Sequence, residues 1–228
     1  MELPYLFEDK IDSYTELALV RSNFYFFLSS IFLKPPTTDT IKILMELKRS
    51  PEFSNFVSAR AKEFLLKMGN INDGELENTV QEYHDLFKVP LSKYVAPYES
   101  VYRNGHLNGQ SAMDVNKIYK RLGFQIPHEY YELPDHIGIE LAFLATLCKE
   151  EQKAWIDKNV KLARSLLKTE NRFLEEHIIC WLPELCNKIY KMTRNNFYNG
   201  MARITLDFLQ YDNTIFKKGD FNSYVHEN

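Results

Sequence analysis

The sequence predicts an all-α protein, a single globular helical domain of about eight to ten helices, and three observations carry that prediction. Apolar residues recur at three- and four-residue spacing in one window after another. Prolines and N-cap residues separate the windows, and glycine is scarce at eight in 228 residues. The chain is 45% hydrophobic, with 16 Phe and 14 Tyr, enough to bury a sizeable core beneath those stripes.

From Ile11 to Leu33 the stripe Tyr14, Leu17, Ala18, Phe24, Leu28, Ile31 and Phe32 marks the first helix, which Pro35-Pro36 ends. Thr37 or Thr38 caps a second helix through Leu47. Ser50-Pro51 reads as an N-cap with proline at the first helical position, opening a third helix to about Met68. Asn72 with Glu75 three residues later has the form of a capping box. The helix it starts carries Leu76, Val80, Tyr83 and Phe87 on one stripe and stops at Pro90.

The chain then reads as irregular to about Gly109. Ser111 caps a helix through Leu122, closed by Gly123 as a left-handed terminus. Residues 125–134 form another loop, and Asp135 is the expected N-cap of the next helix. From Ile137 to Cys148 only Glu140 and Thr146 are clearly polar, and a helix apolar on all sides belongs at the centre of a bundle. Helices over Trp155 to Leu167, Arg172 to Thr193 and Asn196 to Gln210 complete the set. Pro183 must kink the second of these or mark a restart. One domain therefore spans residues 1–216, with a loose polar tail over 217–228. A hinge, if the domain has one, falls at 123–134.

Composition excludes several functions. A net charge of −3 argues against nucleic acid, which calls for a basic face, although the stretch from Trp155 to Arg203 is basic overall. Residues 1–10 are acidic, unlike the basic start of a secretory signal. The longest uncharged run, Ser22 to Leu33, falls short of the roughly 20 apolar residues that span a bilayer. Three cysteines, Cys148, Cys180 and Cys186, lack CxxC spacing and make no disulfide framework. A protein of the reducing cytoplasm, not membrane-embedded, is expected.

No P-loop, GxGxxG or GxSxG occurs, so phosphate-cradling and nucleophile-elbow chemistries have no foothold. Metal is the enzymatic alternative: a metal-dependent helical hydrolase or oxidase using His84, His136 and His177, each near acidic or sulfur groups. Against it, Glu-x-x-His, HExxH and zinc-spaced cysteine pairs are all missing. Structural, hydrogen-bonded histidines are the plainer reading. No catalytic residue and no cofactor of the protein's own are expected.

Two segments stand out: Glu82 to Tyr102 and Tyr131 to Leu141. Each joins a proline-punctuated loop to apolar helix and brings acid, imidazole and aromatic groups to the junction. From Leu122 to Cys148 there are four acids and no Lys or Arg. Plain structural readings exist, with Tyr98 and Tyr102 covering core and Asp135 and Glu140 serving the helix start. Yet Glu140 is a lone charge in an apolar helix, costly unless it is paired or open to a groove. That makes it a candidate for meeting an incoming cation.

The residues carry a resemblance. Tyr83-x-x-Leu86-Phe87, Pro90 and Pro97-Tyr98-Glu99-Ser100-Val101-Tyr102 resemble the first signature of the TorD/DmsD-type chaperones for molybdoenzyme maturation. Glu132-x-Pro134-Asp135-His136-Ile137 with Glu140-Leu141 resembles the second. Arg21-x-x-x-Tyr25-x-x-Leu28 with Phe32, and Phe173-x-x-x-His177-x-x-x-Trp181-x-Pro183, match as well. The resemblance implies an all-helical cytoplasmic chaperone, not an enzyme. It would bind the twin-arginine leader or apo form of a molybdopterin-dependent catalytic subunit and release it for export once the cofactor is in place. By position, the peptide-binding groove would involve Leu86, Phe87, Pro97, Tyr98, Glu99, Ser100, Tyr102, Asp135 and His136, with Glu140 added on the charge argument. Relatives often carry Pro-Pro-Trp where this chain has Ala96-Pro97-Tyr98, which bears on client selectivity. Relatives also exchange C-terminal helices, so a monomer or a domain-swapped dimer is consistent with the family.

Overall fold

The two most apolar stretches of the chain become the axis of the fold. In the computed structural model, which describes residues 3–49, 57–68 and 72–217, these are α1 (Leu3–Leu33) and α7 (Ile137–Ile156). Ser29 Oγ donates to the Gly138 carbonyl at 2.7 Å and Ser22 Oγ to the Ala145 carbonyl at 2.8 Å, so the helices touch at backbone distance. Gly138 permits the approach: a Cβ there would stand 2.5 Å from Leu33 Cγ and 3.1 Å from the Ser29 carbonyl oxygen. Every residue from Ile137 to Ala145 is buried, as an all-round apolar helix requires. By length and composition Ile11–Leu33 is apolar enough to cross a bilayer, which the uncharged run alone did not suggest, but 61% of its apolar window is buried inside the bundle.

Around this axis stand α2 (Thr38–Arg49), α3 (Ala59–Met68), α4 (Asp73–Phe87), α5 (Glu99–Arg103) and α6 (Gln110–Leu122). They are followed, beyond α7, by α8 (Val160–Phe173), a π-helical turn (Leu174–Ile179), α9 (Leu182–Met192) and α10 (Asn196–Lys217). Ten α-helices among the described residues agree with the sequence. Thr37 caps α2 through reciprocal bonds with Thr40, and the Asn72–Glu75 capping box starts α4. Gly123 closes α6 at φ 73°. Pro183 sits in the first turn of α9, so it marks a restart.

Five local expectations change. The Ser50-Pro51 start lies outside the described residues; Val57 and Ser58 are not helical, and Ser58 Oγ accepts from Ala61 N at the head of α3. The stretch read as irregular contains α5, one helical turn. Gly109, not Ser111, is the N-cap of α6, and Ser111 N donates instead to Asn104 Oδ1. Asp135 does not cap α7; His136 does, its Nδ1 accepting from Gly138 N at 3.0 Å. Helix α7 continues through Trp155 to Ile156, and Asn159 caps a new helix, because its side chain accepts from Leu162 N. The tail beyond Lys217 lies outside the described residues. Within 123–134, Phe124 packs on Tyr119 and Phe143 at 4.9 and 5.2 Å, which ties that segment to the bundle.

Charge enters the core at one point on α1. Arg21, 2% exposed, pairs with Glu151 at 2.9 Å, Glu170 at 2.8 Å and Asp212 at 2.7 Å, linking α1, α7, α8 and α10. Tyr25 Oη donates to Asp212 and Trp155 Nε1 to Glu151. Burial, then the neighbouring Glu170 charge, pushes the Glu151 carboxyl up to about 8, with Arg21 pulling the other way.

Candidate functional site

The two segments singled out in the sequence are zipped together by the backbone. Ile137 N donates to the Pro97 carbonyl at 2.8 Å and Glu99 N to the Asp135 carbonyl at 3.0 Å, an antiparallel bridge pairing Tyr98 with His136. The Asp135 carboxylate completes the joint: Oδ2 accepts from Ser100 N at 2.8 Å and so caps α5, one segment's acid finishing the other's helix. The His136 ring meets Tyr98 edge-on at 5.1 Å. Glu132 accepts from the Tyr98 hydroxyl and the Lys88 ammonium, closing the outer side.

Behind the joint lies a carboxyl cluster. Glu99, Asp135 and Glu140 are all 0% exposed. Glu99 Oε2 stands 3.1 Å from His177 Nδ1, and Oε1 is bonded to the Arg103 guanidinium one turn along α5. Trp181 Nε1 donates to the His177 carbonyl at 2.6 Å, and Phe173 lies 5.0 Å from its ring. The Phe173/His177/Trp181 pattern therefore holds the partner of Glu99, and the π-helical turn carries it, a register shift common at functional sites. Burial, then the Glu99 and Asp135 charges, raises Glu140 well above the usual carboxyl range. That shift favours the neutral form of Glu140. Burial raises Asp135 too, against its bonds from Ser100, and lowers His136 to about 4, leaving a neutral imidazole. Tyr102 Oη, His136 Nε2 and both Glu140 oxygens find no hydrogen-bonding partner among the described protein groups.

The expected groove residues divide three ways. Leu86 and Phe87 are core, Phe87 packing against Phe32, Tyr83 and Tyr198, so they do not line an open surface. Pro97, Ser100, Asp135 and His136 form the buried joint. Only Tyr98 and Tyr102 are half-exposed, Tyr102 stacking on Trp181 at 5.1 Å with Lys188 Nζ 4.2 Å from its ring centre. Glu99 and Glu140 face inward. The acids expected to line an open groove are turned into the protein because the backbone bridge and the cap of α5 take the outward positions. Arg103 was not among the expected residues, although its place four after Glu99 was a readable signal. His84, His136 and His177 share no centre. Among the described residues the only three-ligand group is Cys148, Glu151 and Glu170, beside Arg21 and without a histidine.

Comparisons with known proteins agree with this architecture. Residues 50–187 match the family described as nitrate reductase delta subunit. "Chaperone protein TorD" of Vibrio cholerae serotype O1 is 28% identical over 205 residues, covering 84% of this chain and 90% of that protein. The Vibrio vulnificus and Aliivibrio fischeri proteins of the same name are each 25% identical, over 84% of this chain and 92% of theirs. A crystal structure of a redox enzyme maturation protein from Archaeoglobus fulgidus superposes with a TM-score of 0.50 at 17% identity, covering 86% of this chain and 93% of that one. That likeness is one of fold, and it matches the all-helical single domain. With more than half of its length inside the matched region and both signature segments joined as one site, the chain belongs to the nitrate reductase delta subunit family, the TorD-type chaperones of redox-enzyme maturation.

Proposed function

We propose that this protein is a cytoplasmic, non-catalytic chaperone that binds an arginine-bearing leader, and with it the apo form, of a molybdopterin-dependent oxidoreductase subunit. The observation that carries the reading is the cluster of Glu99, Asp135 and Glu140. Three buried carboxyls lie together, one of them, Glu99, paired with a partly exposed guanidinium, on a joint whose outer face is aromatic. A guanidinium asks for a carboxylate in planar geometry, and an apolar leader segment asks for ring faces. Tyr98 and Tyr102 supply the rings and Glu99 the carboxylate. Leu86, Phe87, Pro97, Ser100, Asp135 and His136 hold these in place, with Glu140 as the neutral floor. Binding is then a matter of differential affinity, tight for the apo client and weaker once the loaded client buries its own surface.

Calorimetric titration with a twin-arginine leader, against the same peptide with both arginines replaced by glutamine, tests this. The expected result is tight binding that the glutamine peptide loses. Glu99→Gln should lower affinity for the arginine peptide about tenfold or more, as a charge-assisted bond requires. Equal binding of both peptides would remove arginine recognition from the reading, and no binding of either peptide or of the apo client would remove the chaperone role itself.

A further inference from the structure

The Glu99 carboxylate is a fully buried acceptor at the joint, and it is already holding a guanidinium. That guanidinium belongs to Arg103, whose side chain is 42% exposed while that of Glu99 is 0% exposed. Both of its bonds leave from one nitrogen: Nη1 donates to Glu99 Oε1 and, at 2.9 Å, to the Glu176 carbonyl. A tether of four residues along a single helical turn allows this end-on contact. An arginine arriving from outside carries no such tether and can set two nitrogens against the two acceptors, the stronger arrangement. The way in exists. A cleft of about 540 Å³ opens at this point, lined by Arg103, Asn104, Asp114, Lys117, Glu176 and His177 among others. Its volume lies within the roughly 300–1,000 Å³ of small-ligand sites. Near Glu99, the fully buried Glu140 has no hydrogen-bonding partner for either oxygen.

We infer that Arg103 is a placeholder in a guanidinium seat formed by Glu99, His177 and the Glu176 carbonyl, and that a client arginine binds by displacing it. The seat prefers arginine to lysine, because a planar guanidinium can add a second nitrogen to the contact that Nη1 makes alone, giving parallel bonds that a point-charge ammonium cannot. Arg103 also keeps the seat from standing as a bare buried carboxylate when no client is present, which would be costly. The inference rests on the reading of the protein as a binder of arginine-bearing segments, and it adds that the chain competes with its own ligand.

The test is calorimetry of wild type, Arg103→Gln and the double variant Arg103→Gln/Glu99→Gln with the twin-arginine leader, its lysine version and its glutamine version. Circular dichroism confirms that each variant is folded. Removing the competitor should tighten the arginine leader about fivefold, the scale of an exposed ion pair, with a smaller change for the lysine leader and none for the glutamine leader. The double variant should lose the gain. Arg103→Gln binding the arginine leader as wild type does, or more weakly, would overturn the placeholder role. Should wild type treat the arginine and glutamine leaders alike, arginine recognition fails, and N-ethylguanidinium tests the seat by itself. Binding to Arg103→Gln that the double variant lacks would keep the seat, whereas no binding to Arg103→Gln would overturn it.

Discussion

Two clusters of buried charge lie in this bundle, and they are built in opposite ways. At Arg21 the cation is at the centre and the acids surround it. Glu151, Glu170 and Asp212 come from three other helices, with Tyr25 and Trp155 donating further bonds, and the whole set is sealed. At Glu99 the acids are at the centre and the cation sits at the rim, on the same short helix as Glu99. The first cluster leaves one carboxylate oxygen, Glu170 Oε1, without a partner. The second leaves both oxygens of Glu140, Asp135 Oδ1, the Ser100 and Tyr102 hydroxyls and His136 Nε2. A sealed, nearly saturated ion group has its role in holding helices together. A group with unmet acceptors behind a displaceable cation is arranged for exchange. Buried polar networks are either satisfied and rigid or unsatisfied and costly, and a protein that keeps the second kind has a use for it.

The largest effect should separate the two. Arg21→Ala leaves three buried carboxyls without their cation and should cost about 3–5 kcal/mol, the range for breaking one side of a buried pair. The loss should shrink as pH falls, since Glu151 and Glu170, both already raised by burial, then take up protons. Arg103→Gln should cost clearly less than Arg21→Ala, because its guanidinium is partly in water and His177 still faces Glu99 when it is gone. Chemical denaturation of both variants at pH 5 and pH 8 checks this, and equal costs would erase the distinction between a structural cluster and an exchangeable one.

Glu140→Gln sharpens the same comparison from below. Burial, Glu99 and Asp135 raise the Glu140 carboxyl in the folded protein above its unfolded value. The folded state then binds the extra proton, so stability present below the unfolded pKa is lost as pH rises through the folded one. The slope is at most about 1.4 kcal/mol per pH unit for one group. Glutamine keeps the shape and removes the titration, and it still offers Glu99 a donor. The variant should match wild type near pH 5 and become progressively more stable than wild type toward pH 8. Parallel stability profiles would mean that Glu140 is ionised in the fold and that the cluster carries more charge than its surroundings support.

How much of this was legible in the sequence depends on the distance over which each interaction acts. The stripe of α1, the apolar run of α7, the capping box at Asn72 and the Gly123 terminus are local and were readable. The two signature segments were readable as special because acids, imidazole and rings crowd there. Their joining was not. Asp135 looks like the N-cap of the helix just after it, but its carboxylate serves Ser100, 35 residues earlier. Glu99 finds His177 78 residues on, and Arg21 reaches partners 130 and 191 residues away. Composition shows that acids are present and does not show which way they face. A lone Glu140 in an apolar helix signalled a charge needing an explanation. Burial inside the bundle beside Glu99 and Asp135 favours its neutral form, where a carboxylate open to a groove had been expected.

The smallest expected effect concerns the joint itself. His136 is fully buried, and desolvation lowers it to about 4, Glu132 opposing the shift and Lys88 adding to it. Between about 4 and the unfolded value near 6.5 the unfolded chain binds one proton more than the folded chain. Folding stability therefore falls as pH drops through that window, by about 2 kcal/mol between pH 7.5 and pH 5. Asparagine at this position is a good N-cap and can still accept from Gly138 N. It cannot titrate. His136→Asn should lose some stability at every pH through the missing contact with Tyr98, and its deficit relative to wild type should narrow by about 2 kcal/mol from pH 7.5 to pH 5. Denaturant melts at the two pH values measure that narrowing directly. A constant deficit would mean that His136 titrates in the joint as in the unfolded chain, and a deficit that widens toward pH 5 would mean that it is charged there. The neutral imidazole cap of α7 would then be the wrong protonation state, and Glu132 would have a cation on each side.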